Sequence, residues 1–394
     1  MRAWLVALAV VALVLVQWFR PIPHPVVTAA GPSAVTVPGA RPAIPWPAGG
    51  QAALAVEGVG LVGTSGPVDQ PQPIASLTKI MTAYLILKRH PLGPGASGPS
   101  VTLTAADQSL YQAELKAGQS VTKVVAGEQL TERQMLEALL LPSANNIARV
   151  LARWDAGSEA AFVRQMNAMA KQLGMTHTHY ADASGANPAT VSTAPDQVRL
   201  ALAAMQIPTF REIVAMPQAT LPVAGTVYNV NYYLGKSGIV GVKTGTTAEA
   251  GGCYVSAAWR NAGSHRVLVI AAVLGQGGLQ PLFTALRAGR DLLNAAGSFL
   301  VTAPVLQAGT PVATIKAPWA APLTVTLPRT VSVVGWPGLT GRIHLVPYAL
   351  GPSVRAGQTV GILHVDVGDQ HLAVPLRAPS ALPPPSPRWR LTRL

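Results

Sequence analysis

Ser76-Leu77-Thr78-Lys79 sets a hydroxyl three residues ahead of an amine. If these residues open a helix, positions i and i+3 share a face and Lys79 reaches Ser76. A serine attacks well only when a neighbouring base takes its proton. A lysine is such a base only when burial or a nearby cation depresses its pKa. The pair therefore points to acyl transfer through a serine ester, and it requires a second positive charge close by. A helix N-terminus would add backbone N–H groups for a developing oxyanion. The same spacing recurs at Ser120-Val121-Thr122-Lys123. That copy follows Lys116 and Gly118 in a polar stretch and reads as surface. Ser76 is instead followed at once by Ile80, Met81, Tyr84, Leu85 and Leu87, an apolar stripe at helical spacing.

Two other groups could complete a site. Ser143-Ala144-Asn145 follows a helical pattern and Pro142. A hydroxyl there could relay a proton to a leaving group, and the amide could hydrogen-bond the lysine and a substrate carbonyl. Helix capping by Ser143 is the plain alternative. Lys243-Thr244-Gly245 ends the apolar run Ile239-Val240-Gly241-Val242, so it lies at the end of a strand. Lys243 would be the second cation, Thr244 a hydroxyl for a substrate carboxylate, and Gly245 a point of close backbone approach. The rival Lys236-Ser237-Gly238 follows Leu234-Gly235 and reads as a turn.

In this order the three motifs resemble those of the serine D-alanyl-D-alanine carboxypeptidases, the low-molecular-mass penicillin-binding proteins. Pro73 to Ala83, Leu173-Gly174-Met175, Thr178-His179-Tyr180, Gly241 to Gly245 and Glu249-Ala250-Gly251 are similar to that family too. So is the β-rich region after the catalytic part, which extends the likeness over roughly Gln51 to Ala378. The resemblance implies that Ser76 attacks the D-Ala-D-Ala carbonyl, Lys79 accepts its proton, and Ser143 and Asn145 pass that proton on and hold the substrate. It implies that Lys243 and Thr244 bind the terminal carboxylate, with Gly245 beside them in the substrate-binding strand, and that the N–H groups of Ser76 and Thr246 form an oxyanion hole. Peptidoglycan stem peptides would be the substrate and β-lactams the inhibitors. Ala144 stands where the family has glycine, and Asn146 where an aspartate follows. A D,D-endopeptidase or a β-lactamase would use the same motifs, but no Glu-x-x-Leu-Asn segment for the latter lies between the second and third. A non-catalytic wall-binding protein is the alternative from another class. His177 and His179 lack further ligands at metal spacing, so no metal or cofactor is expected.

The elements that must position these groups follow from periodicity. Helices are predicted from Ser76, over Thr131 to Leu141, after Pro142, over Glu159 to Leu173 and from Thr193. Strands are predicted over Ile239–Thr244, Gly252–Trp259 and Arg266–Leu274, then a helix from Pro281 to Ala296. Gln51 to Val62 reads as a hairpin. The expected fold is α+β: a penicillin-binding/β-lactamase-like catalytic domain, an antiparallel sheet flanked by helices, followed by a smaller all-β sandwich. Expected boundaries are a signal peptide or N-terminal anchor at 1–29, a Pro-rich linker at 30–48, the catalytic domain at 49–299, the β-rich domain at 300–378 and a Pro-rich basic tail at 379–394. Arg2 and the apolar run from Ala3 to Val16 predict export, with a possible cleavage site at Val27-Thr28-Ala29. The net charge of +13 comes from scattered basic residues and matches no nucleic-acid module. Arginines and a tryptophan in the tail suit peripheral contact with an anionic membrane, and a plain disordered tail is the alternative. The one cysteine, Cys253, excludes an intrachain disulfide and reads as packing.

Overall fold

The computed structural model describes residues 2–393 and divides into two units, Pro42–Leu300 and the remainder. The first is built on a five-stranded antiparallel sheet. Its strands are β1 (Gln51–Val56), β2 (Gly60–Ser65), β3 (Ile239–Thr247), β4 (Gly251–Ala262) and β5 (His265–Gln276), in the spatial order β3-β4-β5-β1-β2. The 2-residue side-chain period gives this sheet two buried faces. Cys253, Val255 and Ala257 point into the main apolar core. The alternate residues Tyr254 and Ser256 meet Gly289 of a long C-terminal helix, Pro281–Phe299, where an added Cβ would come within 2.6 Å of the tyrosine ring. Strand β3 is an edge, so one row of its backbone groups is open to an extended ligand.

The long insertion between β2 and β3 is mainly helical. In chain order it supplies α1 (Thr78–Arg89), α2 (Ala105–Lys116), α3 (Glu132–Leu140), α4 (Asn145–Ala156), α5 (Glu159–Gln172), α6 (Ala194–Met205) and α7 (Pro208–Val214); the Pro281–Phe299 helix is α8. Helix α1 is buried from Thr78 to Leu87. Each of its fully buried apolar side chains contributes about 1.5–3 kcal/mol, which holds the Ser76 turn at its N-terminus in place. Thr131 caps α3 in a reciprocal box with Gln134. Gly174, at φ +70°, follows the end of α5. Two helices lie outside the sequence expectation, α2 and α7.

The second unit has its own apolar core and is all β apart from two terminal helices. Strands Thr340–Pro347, Thr359–Val367 and Gln370–Arg377 form one antiparallel sheet, and Pro311–Ala317 pairs with Ala320–Thr326 in another. Val301–Leu306, which the sequence reading passes over, pairs with Val331–Gly335. The segment expected to be leader and linker differs from that expectation. Val26–Ala29 pairs with Pro311–Ala317, and Ala34–Thr36 pairs with Thr340–Pro347. Val27, Val35 and Val37 alternate inward and are buried. Prolines between such short edge strands interrupt no ladder, so a Pro-rich composition hides them. At the other end the expected tail is partly built in: Leu382 is buried and bridged to Val354, and Pro387–Thr392 forms a short helix.

Candidate active site

Ser76 occupies a single 3-10 turn, Ala75–Leu77, that leads directly into α1. Lys79 is one turn on and fully buried. Its Nζ lies 2.8 Å from Ser76 Oγ, 2.6 Å from Asn145 Oδ1 and 2.7 Å from the carbonyl oxygen of Ser184. The last two partners can only accept. A neutral amine has two N–H donors and one lone pair, so these acceptors take both N–H groups and leave the lone pair to the Ser76 hydroxyl. Burial, reinforced by the charge on Lys243, holds the lysine well below its ordinary pKa, while Asp182 and Glu114 oppose that shift. The site thus meets both demands placed on a lysine base.

The other motif residues gather here. Ser143 has φ +71° and is buried, and its Oγ has no hydrogen-bond partner. It does not cap α4, whose N-cap is Ala144 with no side-chain bond. Ala75, next to Ser76, also has a positive φ, +46°. Two non-glycine residues in this sparsely populated region flank one cleft, as strained backbone at working sites does. That cleft, about 190 Å³, is lined by Ser76, Ser120, Ser143, Thr244, Gly245 and Thr246, with Tyr232 and Leu282 among its apolar walls. A Cβ on Gly245 would lie 3.0 Å from Ser76 N, so the open edge of β3 runs beside Ser76. Lys243 is buried, donates to Thr244 O at 3.1 Å, and is brought down to about 7 by burial. The rival Lys236-Ser237-Gly238 is an exposed turn. Cys253 is buried and pushed up to about 12, which leaves its thiol inert. Among the described residues no His, Cys, Asp or Glu group could hold a metal ion.

Four contributors escaped the sequence reading. Ser184 acts through its carbonyl, which carries no residue-type signal. Asp182 fixes that carbonyl: its Oδ2 accepts from Ser184 Oγ (2.7 Å), Gly185 N (2.9 Å) and Ala186 N (2.9 Å), and its Oδ1 from Thr190 Oγ1 (2.7 Å). An aspartate followed closely by Ser-Gly is a turn signature that could have marked this loop. Ser120, read as surface, is exposed and also lines the cleft, and its carbonyl accepts from Asn145 N at 2.8 Å. The side chain of the neighbouring Gln119 bonds the Asn145 amide.

A family model described as D-alanyl-D-alanine carboxypeptidase matches residues 48–277. The chain belongs to the D-alanyl-D-alanine carboxypeptidase family. It is 33% identical over 216 residues to a D-alanyl-D-alanine endopeptidase of Pseudomonas aeruginosa, covering 53% of this chain and 66% of that one. It is 35% identical over 209 residues to a D-alanyl-D-alanine carboxypeptidase of a Streptomyces species, covering 49% and 70%. The chain therefore spans about two thirds of the length of these relatives. The solved D-alanyl-D-alanine carboxypeptidase DacD of Francisella tularensis superposes with a TM-score of 0.63 over 86% of this chain and 94% of that one. At 24% identity that likeness speaks for the fold.

The expected roles give the two lysines opposite protonation needs: Lys79 would act when neutral and Lys243 would hold a carboxylate when charged. The acylation rate by a penicillin is expected to trace a bell against pH, rising as Lys79 loses its proton and falling as Lys243 loses its own near 7 in the empty enzyme. Lys243→Arg keeps the charge at every accessible pH. Its rate profile should lack the descending limb, and a limb that stays in place would show that Lys243 is not its source.

Gly185 offers a structural test. It has φ +82°, and a Cβ there would sit 1.9 Å from Ala75 O. Gly185→Ala should destabilise the protein by about 2–4 kcal/mol through overpacking and left-handed strain, read as a lower Tm. It should also slow acylation, because the backbone that must yield adjoins Ser76.

Proposed function

We propose that this protein is an exported serine D-alanyl-D-alanine carboxypeptidase that removes the terminal D-alanine from peptidoglycan stem pentapeptides. The observation that carries the reading is the Lys79 amine, held by two pure acceptors with its third direction on Ser76 Oγ. As Oγ bonds to the carbonyl carbon its proton passes to Nζ, and the oxyanion faces backbone N–H groups at the 3-10 turn and the β3 edge. The C–N bond then breaks. Free D-alanine leaves with the proton, for which the unpartnered Ser143 hydroxyl offers a relay. Water completes the cycle on the ester, and β-lactams that reach the ester are trapped there.

The endopeptidase name of one relative favours a second reading, cleavage of D-alanyl cross-links by the same acyl-enzyme chemistry. The deciding experiment offers the purified protein a stem pentapeptide and a cross-linked dimer in parallel. D-Alanine release from the first, with an acylated Ser76 peptide found by mass spectrometry, supports the carboxypeptidase. Faster opening of the dimer would replace it with the endopeptidase, and rapid β-lactam hydrolysis would point to a β-lactamase instead.

Attachment to an envelope membrane belongs to the same proposal. Helix Arg2–Phe19 exposes large apolar side chains from Trp4 to Phe19. No acidic residue precedes Glu57 or follows Asp369, and Arg388, Arg390 and Arg393 lie in the C-terminal stretch. These features suit an anionic lipid surface. Among the described residues no helix is long and apolar enough to cross a membrane.

A further inference from the structure

We infer that Gln119 is a positioning residue for acylation, acting through the orientation of the Asn145 amide; the inference rests on the acyl-transfer reading above. Asn145 presents a carbonyl oxygen and an NH₂ group of nearly the same shape. Its Oδ1 accepts from Lys79 Nζ at 2.6 Å, and its Nδ2 donates to Gln119 Oε1 at 2.8 Å. If the amide turned over, its N–H groups would face the lysine. The lysine lone pair would then accept from Asn145, and the Ser76 proton would lose its destination. In the observed arrangement the acceptor on Gln119 takes Nδ2 and leaves Oδ1 to the lysine.

The segment that carries Gln119 is tied down for this task. Gln119 N donates to Glu114 O at 3.0 Å, at the end of α2. Ser120 O accepts from Asn145 N at 2.8 Å. Asn146 brackets Thr122 from the other side, accepting from its N–H at 3.1 Å and donating to its carbonyl at 2.9 Å. Residues 119–122 therefore hold the start of α4 by two main-chain anchors, with one side chain left to act on Asn145. The second Ser-x-x-Lys segment thus serves the first as a scaffold. Its serine contributes a carbonyl and a stretch of cleft wall.

The test compares Gln119→Met, which keeps length and loses the acceptor, with Gln119→Glu, which keeps the acceptor and adds a charge. Gln119→Met should lower the second-order acylation rate by a fluorescent penicillin about ten-fold. On an Asn145→Ala background, where there is no amide to orient, the same change should cost less than about two-fold. Gln119→Glu should hold the amide in place. Its charge, joining Asp182 and Glu114 against Lys243, should move the ascending limb of the pH profile upward while the plateau recovers. A role confined to stability would lower both variants in step with Tm and leave the limb where it was. The inference is overturned if Gln119→Met acylates within two-fold of the parent, or if it costs the same ten-fold without Asn145. Should Gln119→Met fail to fold, an unmoved limb in Gln119→Glu overturns it. Labelling that persisted in Ser76→Ala would be a failure of the acyl-transfer reading itself, and the two results are read separately.

Discussion

Ser76→Ala should take no label from a fluorescent penicillin and should lose turnover by about 10⁶-fold, the scale on which removing a nucleophile collapses a unit that works only when complete. The reason is geometric. Three serines line the cleft, Ser76, Ser120 and Ser143, but only Ser76 has its Oγ against a buried amine. Only Ser76 sits on a turn whose backbone also faces the β3 edge at Gly245. Ser120→Ala is the matched control. Its contribution to the site is a main-chain carbonyl, so its acylation rate should stay within about three-fold of the parent, as surface substitutions without a named loss do. Mass spectrometry of the penicillin adduct reads both outcomes at once. An adduct on Ser120 or Ser143 in the Ser76→Ala protein would put the nucleophile elsewhere in the cleft.

How much of this was legible beforehand depended on whether a residue acts through its side chain and through near neighbours. The stripe from Ile80 to Leu87 announced α1, because ten consecutive buried residues on a helix of 12 leave a strong apolar signal. The motif residues Ser143, Asn145 and Lys243 were legible for the same reason: their side-chain types state a chemistry. Helix α2 was not, since its buried residues are Asp107 and Glu114, charged groups engaged by Arg153 and Arg149. An apolar-periodicity reading passes over a helix that turns carboxylates inward. The strands at Val26–Ala29 and Ala34–Thr36 were hidden because their partners lie about 300 residues away in sequence, as with Val27 against Ile315. Ser184 was hidden because any residue has a carbonyl. What fixes that carbonyl is the Asp182 turn, and only the folded loop brings it to Lys79.

Lys79→Arg should be nearly as inactive as a complete truncation, with acylation down by about 10²–10⁴-fold, the range for losing a positioned general base. A guanidinium preserves the positive charge and several N–H donors, but it keeps its proton at every accessible pH and has no lone pair for Ser76. If Lys79 served only as an electrostatic partner for the oxyanion, Lys79→Arg would retain a large share of the rate. The pH dependence separates the two cases further. Burial and Lys243 hold Lys79 below its ordinary value, so in the parent the neutral, active form grows as pH rises through that depressed pKa. The arginine has no such transition, so the residual rate of the variant should lack the ascending limb altogether. The vacated geometry predicts the same outcome. Asn145 Oδ1 and Ser184 O would still find donors on the guanidinium, so the variant should fold and bind β-lactam non-covalently while failing to form the ester. A Lys79→Arg protein that acylates at a tenth of the parent rate, with the ascending limb intact, would mean that the base lies elsewhere in the cleft.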